Sequence, residues 1–273
     1  MIFFPNAKIN IGIYITDKRN DGYHNLETIF YPISLTDILE IQKQKTNQRI
    51  FNNTGIRLPV SAKQNLCYRA YQLMQQQHSI PEADFHLHKI IPYGAGLGGG
   101  SSDASFTLKA LNQLFRLNLK DDKLKNMAEQ IGSDCPFFID NKPSIAWEKG
   151  NKTEPIHLSI KGLHLLLVIP DIQIDTQTAY KGIKPRKREK SLKEVVLNEP
   201  VEKWNDKVTN DFEGHILKAY PLLKQIKHIL AEMGAVFTSL SGSGSAIYGL
   251  FREKPTPENE LRHHFTWIEQ LKY

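Results

Sequence analysis

The sequence predicts a chain of mixed strands and helices, and three observations carry that reading. From Lys8 to Ile15 the apolar residues Ile9, Ile11, Ile13 and Ile15 alternate with others, which is the period of a strand. Ala104, Leu108, Leu111 and Phe115 recur instead at helical intervals. Just before them stands PYGAGLGGGSSDA, Pro92 to Ala104, whose five glycines and two serines join a strand to a helix.

The remaining elements follow in order. The N-terminal MIFFP has no basic leader and no small-residue cleavage site, and Lys8 soon interrupts its apolar character, so it reads as a first strand rather than a secretory signal. Asn20-Asp21-Gly22 marks a turn, Leu26 to Leu35 a second strand, Leu66 to Gln77 a helix and Phe85 to Ile91 another strand. The glycine-rich stretch then opens a helix, with its serines expected at the N-cap. A second helix, Lys120 to Gln130, is expected to end on Gly132 at the C′ position, followed by Ser133-Asp134-Cys135-Pro136 and an apolar strand. Ile156 to Ile169 reads as one or two strands, Lys184 to Lys190 as a basic loop, and Phe212 to Met233 as helical segments interrupted at Pro221. The stretch AVFTSLSGSGSAIYGLF reads as two strands around Ser241-Gly242-Ser243-Gly244.

Bulk properties bound the function. A chain of 273 residues, 40% hydrophobic and 23% charged, builds one large domain or two modest ones. Its longest apolar run, Leu163 to Pro170, is too short to cross a bilayer. Cys67 and Cys135 lie far apart without metal-ligand spacing, which fits a reducing compartment, and the expected location is the cytoplasm. A net charge of +6 is mild for a nucleic-acid binder and consistent with an anionic substrate. The expectation is therefore a small-molecule partner, with neither nucleic acid nor membrane. The run KPRKREK, Lys184 to Lys190, reads as a solvated loop.

The glycine stretch narrows the chemistry. The first amides of a helix lack intrahelical partners and carry the positive end of its dipole, so a bare backbone entering a helix suits a phosphate. No Gly-Lys-Ser or Gly-Lys-Thr occurs, which excludes a Walker A loop. Gly94, Gly96 and Gly99 satisfy G-x-G-x-x-G, but Arg116 to Asp122 leads into another helix instead of a strand ending in an acidic residue. Ser243 stands in S-G-S-G-S and lacks the G-x-S-x-G elbow of a serine hydrolase.

Three ordered motifs, Lys8-Ile9-Asn10, Pro92 to Ala104 and Ser241 to Gly244, resemble those of the GHMP kinase superfamily. Asp21-Gly22-Tyr23-His24 with Leu26 and Thr28, Ile131 to Pro136, and Asn210-Asp211-Phe212-Glu213 are similar to the 4-diphosphocytidyl-2-C-methyl-D-erythritol kinases within it. The resemblance implies an α+β, two-domain GHMP kinase fold. An ATP-binding domain like domain 2 of ribosomal protein S5 would cover residues 1–155, and a ferredoxin-like substrate domain residues 156–273. It also implies phosphorylation of the substrate's 2-hydroxyl by ATP with Mg²⁺.

Residue by residue, the same resemblance implies roles. Lys8 and Asp134 match the catalytic pair, answering the need of a weakly nucleophilic alcohol for a proton acceptor and of the transferring phosphoryl for a cation. Pro92, Gly94, Gly96, Leu97, Gly98, Gly99, Gly100, Ser101 and Ser102 match the phosphate loop, and either Ser101 or Ser102 suits the metal. Asn65 and Lys89 match positions bordering the nucleotide pocket, although a helix cap and a strand-surface lysine are equally compatible with the residues. Tyr23 and His24 match the cytidine site, Tyr180 the second aromatic wall, Asn10 and Thr176 the erythritol end, and Ser243 and Gly244 the third glycine motif. Trp147 to Asn151 departs from the usual glycine-rich stretch, and the chain stops soon after Leu271.

Overall fold

A computed structural model describes residues 1–44, 51–59 and 64–273. The first half holds β1 (Ile2–Phe3), β2 (Asn6–Lys18), β3 (His24–Thr36), β4 (Ile38–Lys43), β5 (Phe51–Gly55), α1 (Leu66–His78), β6 (Ala83–Lys89), α2 (Gly99–Leu114), α3 (Asp121–Glu129) and α4 (Phe137–Asp140). The second half holds β7 (Ser144–Trp147), β8 (Lys152–Pro155), β9 (His164–Ile169), α5 (Thr176–Lys181), α6 (Leu192–Asn198), α7 (Trp204–Lys207), α8 (Glu213–Ala219), α9 (Pro221–Glu232), β10 (Phe237–Leu240), β11 (Ile247–Phe251) and β12 (Phe265–Gln270). The chain is α+β, as expected.

It divides into two compact units, one of Met1–Lys8, Ser34–Tyr93 and Gly98–Lys142, the other of Ile9–Ile33, Gly94–Leu97 and Pro143–Tyr273. The first unit carries a sheet in the order β1-β4-β6-β5, antiparallel except where β5 runs parallel to β6 with Phe51 opposite Phe85. Its core joins Leu39 and Ile41 of β4, Phe85 and Leu87 of β6, Tyr71 and Met74 of α1, and Leu108 and Leu111 of α2. The second unit carries the antiparallel sheet β10-β11-β9-β12, on which Leu223, Ile226 and Leu230 of α9 share a core with Leu166, Val168, Leu240 and Ile247. A further sheet has the order β2-β3-β7-β8.

The alternation in β2 has an unusual outcome. Asn6, Lys8 and Asn10, the polar residues between its apolar ones, are as buried as their neighbours. Burying a lysine and two carboxamides requires partners for each, and those of Lys8 and Asn10 define the sites below.

Several local expectations are corrected. Ser101 and Ser102 do not cap α2: Gly98, left-handed at φ 68°, occupies the N-cap, so the helix starts two residues before the serines. The segment after Pro136 is the helical turn α4 and not a strand, because the short apolar run Phe137-Phe138-Ile139 has no period to separate the two. Gly132 does not take the left-handed C′ conformation, and α3 ends at Glu129 with Gln130 still right-handed. A Cβ on Gly132 would lie 3.3 Å from the Cys135 sulfur. Within Ile156 to Ile169 only His164–Ile169 forms a strand. Lys184 to Lys190 is a loop as expected, yet Arg188 is held by Thr209 at 3.0 Å and by Asp211, with its guanidinium 3.8 Å from the Tyr14 ring centroid. Among the described residues no helix is long and apolar enough to cross a membrane.

Candidate active site

Gly94, Gly96 and Gly98 all adopt left-handed backbone, at φ 71°, 78° and 68°. The first intrahelical bond of α2 runs from the Ser102 N–H to the Gly98 carbonyl at 2.9 Å. The N–H groups of Gly99, Gly100 and Ser101 therefore precede it without intrahelical acceptors, at the positive end of a 16-residue helix. The backbone is bare here for steric reasons as well. A Cβ on Gly98 would lie 3.0 Å from Phe138 and 3.1 Å from Lys8, and one on Gly99 3.0 Å from Ile91. Pro92 enters this loop half-buried, and the Leu97 side chain is buried. The two serines now separate. Ser102 is fully buried and its hydroxyl has no partner among the described residues, whereas Ser101 is half-buried with its hydroxyl against the Cys135 thiol.

Lys8 and Asp134 meet as expected, Nζ to Oδ2 at 3.4 Å, both in the first unit. The lysine side chain is 4% exposed and the carboxylate 31% exposed. Strand β2 supplies the lysine, and the turn between α3 and α4 presents the aspartate. Burial pulls the Lys8 ammonium below its ordinary value, opposed by the charge and hydrogen bond of Asp134. The arrangement gives a half-exposed proton acceptor held against a buried cation, beside the glycine that caps α2.

Lys89 is committed elsewhere. Its Nζ bonds Asp103 at 2.7 Å and also Asp37, and all three groups are buried. Asp37 in turn accepts from the N–H groups of Ile90 at 2.6 Å and Ile91 at 2.9 Å. Burial alone depresses the Lys89 ammonium, but the two carboxylates outweigh it and raise it, while burial raises the Asp103 carboxyl. This triad ties the end of β6 to the first turns of α2, bracing the two stems of the glycine loop. Asn65 caps α1, its Oδ1 accepting from the Cys67 N–H at 2.9 Å. Asp37 and Asp103 escaped the sequence reading as functional residues. Asp103 stood inside the glycine motif, whereas Asp37, 52 residues before its lysine, carried no signal.

In the second unit, the carboxamide of Asn10 donates to Thr28 Oγ1 at 2.8 Å, and that hydroxyl donates to the Gly12 carbonyl at 2.7 Å. Tyr248 donates to the Asn10 carbonyl at 2.9 Å. Ser243 is half-buried and Gly244 buried in the tight link between β10 and β11, where a Cβ on Gly244, at φ 91°, would meet Ile174 at 2.9 Å. Thr176 opens α5 in an exposed position. The aromatic candidates are placed unevenly: Tyr23 is 61% exposed with Lys149 Nζ 5.0 Å from its ring centroid, while His24 stacks on Tyr180 with centroids 4.9 Å apart and planes 15° apart. Tyr180 also meets Phe212 edge-on at 4.9 Å. Burial and the charge of Lys18 hold the His24 imidazole below its ordinary value, so near neutral pH its ring offers one donor and one acceptor.

Among the described residues no group of three or more His, Cys, Asp or Glu side chains is gathered to hold a metal. The oxygen donors beside the loop are the half-exposed Asp134 carboxylate and Ser101 hydroxyl, a set that suits a hard cation arriving on a nucleotide's own phosphates.

Comparison with known proteins gives the chain's family and relatives. The family model described as the GHMP kinases N terminal domain matches residues 65–142, and that of the GHMP kinases C terminal matches residues 196–264. A protein of Bacteroides fragilis named 4-diphosphocytidyl-2-C-methyl-D-erythritol kinase is 46% identical over the whole of both chains. One of the same name from Cytophaga hutchinsonii is 41% identical, covering 95% of this chain and 96% of the other. A crystal structure of a 4-(cytidine 5'-diphospho)-2C-methyl-D-erythritol kinase superposes with a TM-score of 0.81 at 28% identity over both full chains. A Methanococcus jannaschii mevalonate kinase, 17% identical with a TM-score of 0.67 over 100% of this chain and 98% of its own, shares the fold.

Proposed function

The chain belongs to the GHMP kinase family, among its 4-diphosphocytidyl-2-C-methyl-D-erythritol kinases, and we propose how its residues move the phosphoryl group. It is an ATP-dependent kinase that phosphorylates the 2-hydroxyl of 4-diphosphocytidyl-2-C-methyl-D-erythritol in the non-mevalonate route to isoprenoid precursors. The observation that carries the mechanism is the Lys8–Asp134 contact of 3.4 Å at the edge of the glycine loop.

Asp134 takes the proton of the 2-hydroxyl at a carboxylate oxygen as the new O–P bond forms. The bond between the γ-phosphorus and the bridging oxygen breaks, and ADP leaves with that electron pair. The buried Lys8 ammonium pairs with Asp134 at 3.4 Å and lies against the charge that the transferring phosphoryl develops. Amides from Gly96 to Ser101 receive the phosphates, the Ser102 N–H being held by the Gly98 carbonyl, and because they are fixed before ATP arrives they need no reorganisation during the reaction. Mg²⁺ would arrive on ATP as part of that substrate and would neutralise phosphate charge, with Ser101 and Asp134 as the protein oxygens that would hold it. Ser102 is too buried for that role without movement.

For the base, the stack of His24 on Tyr180 forms one flat wall, and the exposed ring of Tyr23 supplies another surface. The division at residue 155 separates the two family domains in this reading, and a reducing cytoplasm suits its two buried thiols.

Coupled ADP release with Mg-ATP tests the reading, offering 4-diphosphocytidyl-2-C-methyl-D-erythritol beside homoserine, mevalonate and galactose. Turnover confined to the cytidylyl alcohol is expected. Turnover with another alcohol alone would retain Asp134 and the loop but discard the base site.

A further inference from the structure

Ser241 is fully buried in the third glycine motif, and its hydroxyl faces two backbones at once. It accepts from the Asn10 N–H at 3.3 Å and donates to the Gly96 carbonyl at 3.0 Å. The rest of the residue is equally fixed. Its N–H donates to the Ala246 carbonyl at 2.8 Å, and the Ala246 N–H donates to the Ala95 carbonyl at 3.1 Å. The Asn210 carboxamide donates to the carbonyls of Leu240 at 2.9 Å and Gly242 at 2.8 Å, clamping the residues on either side. A Cβ on Gly96 would come 2.1 Å from the Ser241 carbonyl oxygen, so the two backbones meet with no room between them. All these residues belong to the second unit.

This contact has a directional consequence. A trans peptide is planar, with its C=O and N–H on opposite sides. With the Gly96 carbonyl turned toward Ser241, the Leu97 N–H of the same peptide faces the other way. That N–H belongs to the run of amides proposed to receive the phosphates. Accepting from Asn10 also polarises the Ser241 hydroxyl, which strengthens the bond it donates.

We propose that Ser241 is a positioning residue for the nucleotide: anchored on Asn10, its hydroxyl fixes the Gly96–Leu97 peptide so that the Leu97 N–H is aimed at the ATP phosphates. This rests on the reading of the glycine loop as the ATP site. Ser241 acts through that peptide and is not a catalytic residue, since both bonds of its hydroxyl go to backbone groups.

The test is steady-state kinetics of S241A and S241C, with ATP and the cytidylyl alcohol varied in turn. Losing one intramolecular hydrogen bond predicts a rise of about 3- to 10-fold in the KM for ATP. The kcat and the KM for the alcohol should stay within about twofold, and S241C, which keeps a weak donor at similar volume, should fall between S241A and wild type. Competition with adenosine separates aim from general damage: lacking phosphates, it should inhibit wild type and S241A with equal inhibition constants, while the β,γ-imido analogue of ATP weakens with the KM. An unchanged KM for ATP in S241A overturns the proposal, as does equal weakening of adenosine and the imido analogue. Wild-type enzyme that never consumes ATP overturns the reading beneath it.

Discussion

Lys8 shows what burial does to a cation proposed for catalysis. Its amine ordinarily titrates at 10.5, and burial lowers that value in the folded chain despite Asp134. In the proposed mechanism the charged form serves the reaction, so the proton, and turnover with it, should be lost at a lower pH than for an ordinary lysine. The kcat profile should therefore bend downward on its alkaline side below 10.5. In K8R the guanidinium does not deprotonate, so whatever activity remains should run level through that range. An unchanged alkaline limb in K8R would assign it to another group. Asp134→Asn should cost about 10²- to 10⁴-fold in kcat, the usual worth of a positioned proton acceptor, while calorimetric titration with the imido analogue of ATP finds binding intact. Both residues were legible because each sits inside a motif. Ser241 was legible only as a letter in a glycine turn, because its role comes from Gly96, 145 residues earlier in the chain.

At the scale of elements, the start of α2 decides the geometry of the site. The sequence placed the glycine loop between a strand and a helix correctly, yet set the helix too late by taking the serines as caps. A glycine in left-handed backbone ends the loop as well as a serine begins a helix, and residue preference alone does not choose between them. The distinction has consequences for substitution. Gly98→Ala forces an L-residue to φ 68°, costing about 1–2 kcal/mol, and sets a Cβ 3.0 Å from Phe138 and 3.1 Å from the Lys8 side chain. Displacing that lysine should lower kcat by up to about 10²-fold, as small misplacements of reacting groups do. Gly100→Ala is the contrast, since its nearest neighbour would be Leu66 at 3.6 Å and its backbone is not left-handed. It should keep kcat within about threefold, since 3.6 Å is ordinary van der Waals contact. Equal losses in the two variants would show that bare backbone, and not the space around Lys8, is what the loop requires. The strand expected after Pro136 failed for a related reason, since three apolar residues carry no period and only packing makes them a helical turn.

Across the whole molecule, the α+β class and most elements could be read from periodicity, while the arrangement of sheets, and β5 beside β6, could not, since pairing partners far apart leave no local mark. The buried triad of Lys89, Asp37 and Asp103 belongs to this scale because it joins three segments that meet only in the folded chain. Lys89→Met removes the ammonium and leaves two carboxylates buried against each other, a loss of about 3–5 kcal/mol that should lower the melting temperature by roughly 10 °C. The sign of its pH dependence follows from the same picture. In the variant the Asp103 carboxyl, which burial already raises, loses the ammonium that opposes that rise, so the native state holds more protons than the unfolded one as pH falls through its titration range, and stability rises. The deficit relative to wild type should thus be largest at about pH 8 and shrink toward about pH 5 in thermal melts taken at both. A deficit of the same size at both pH values would mean that Lys89 contributes its packing and not its charge, and the stems of the glycine loop would then owe their placement to Asp37 and its bonds to the N–H groups of Ile90 and Ile91.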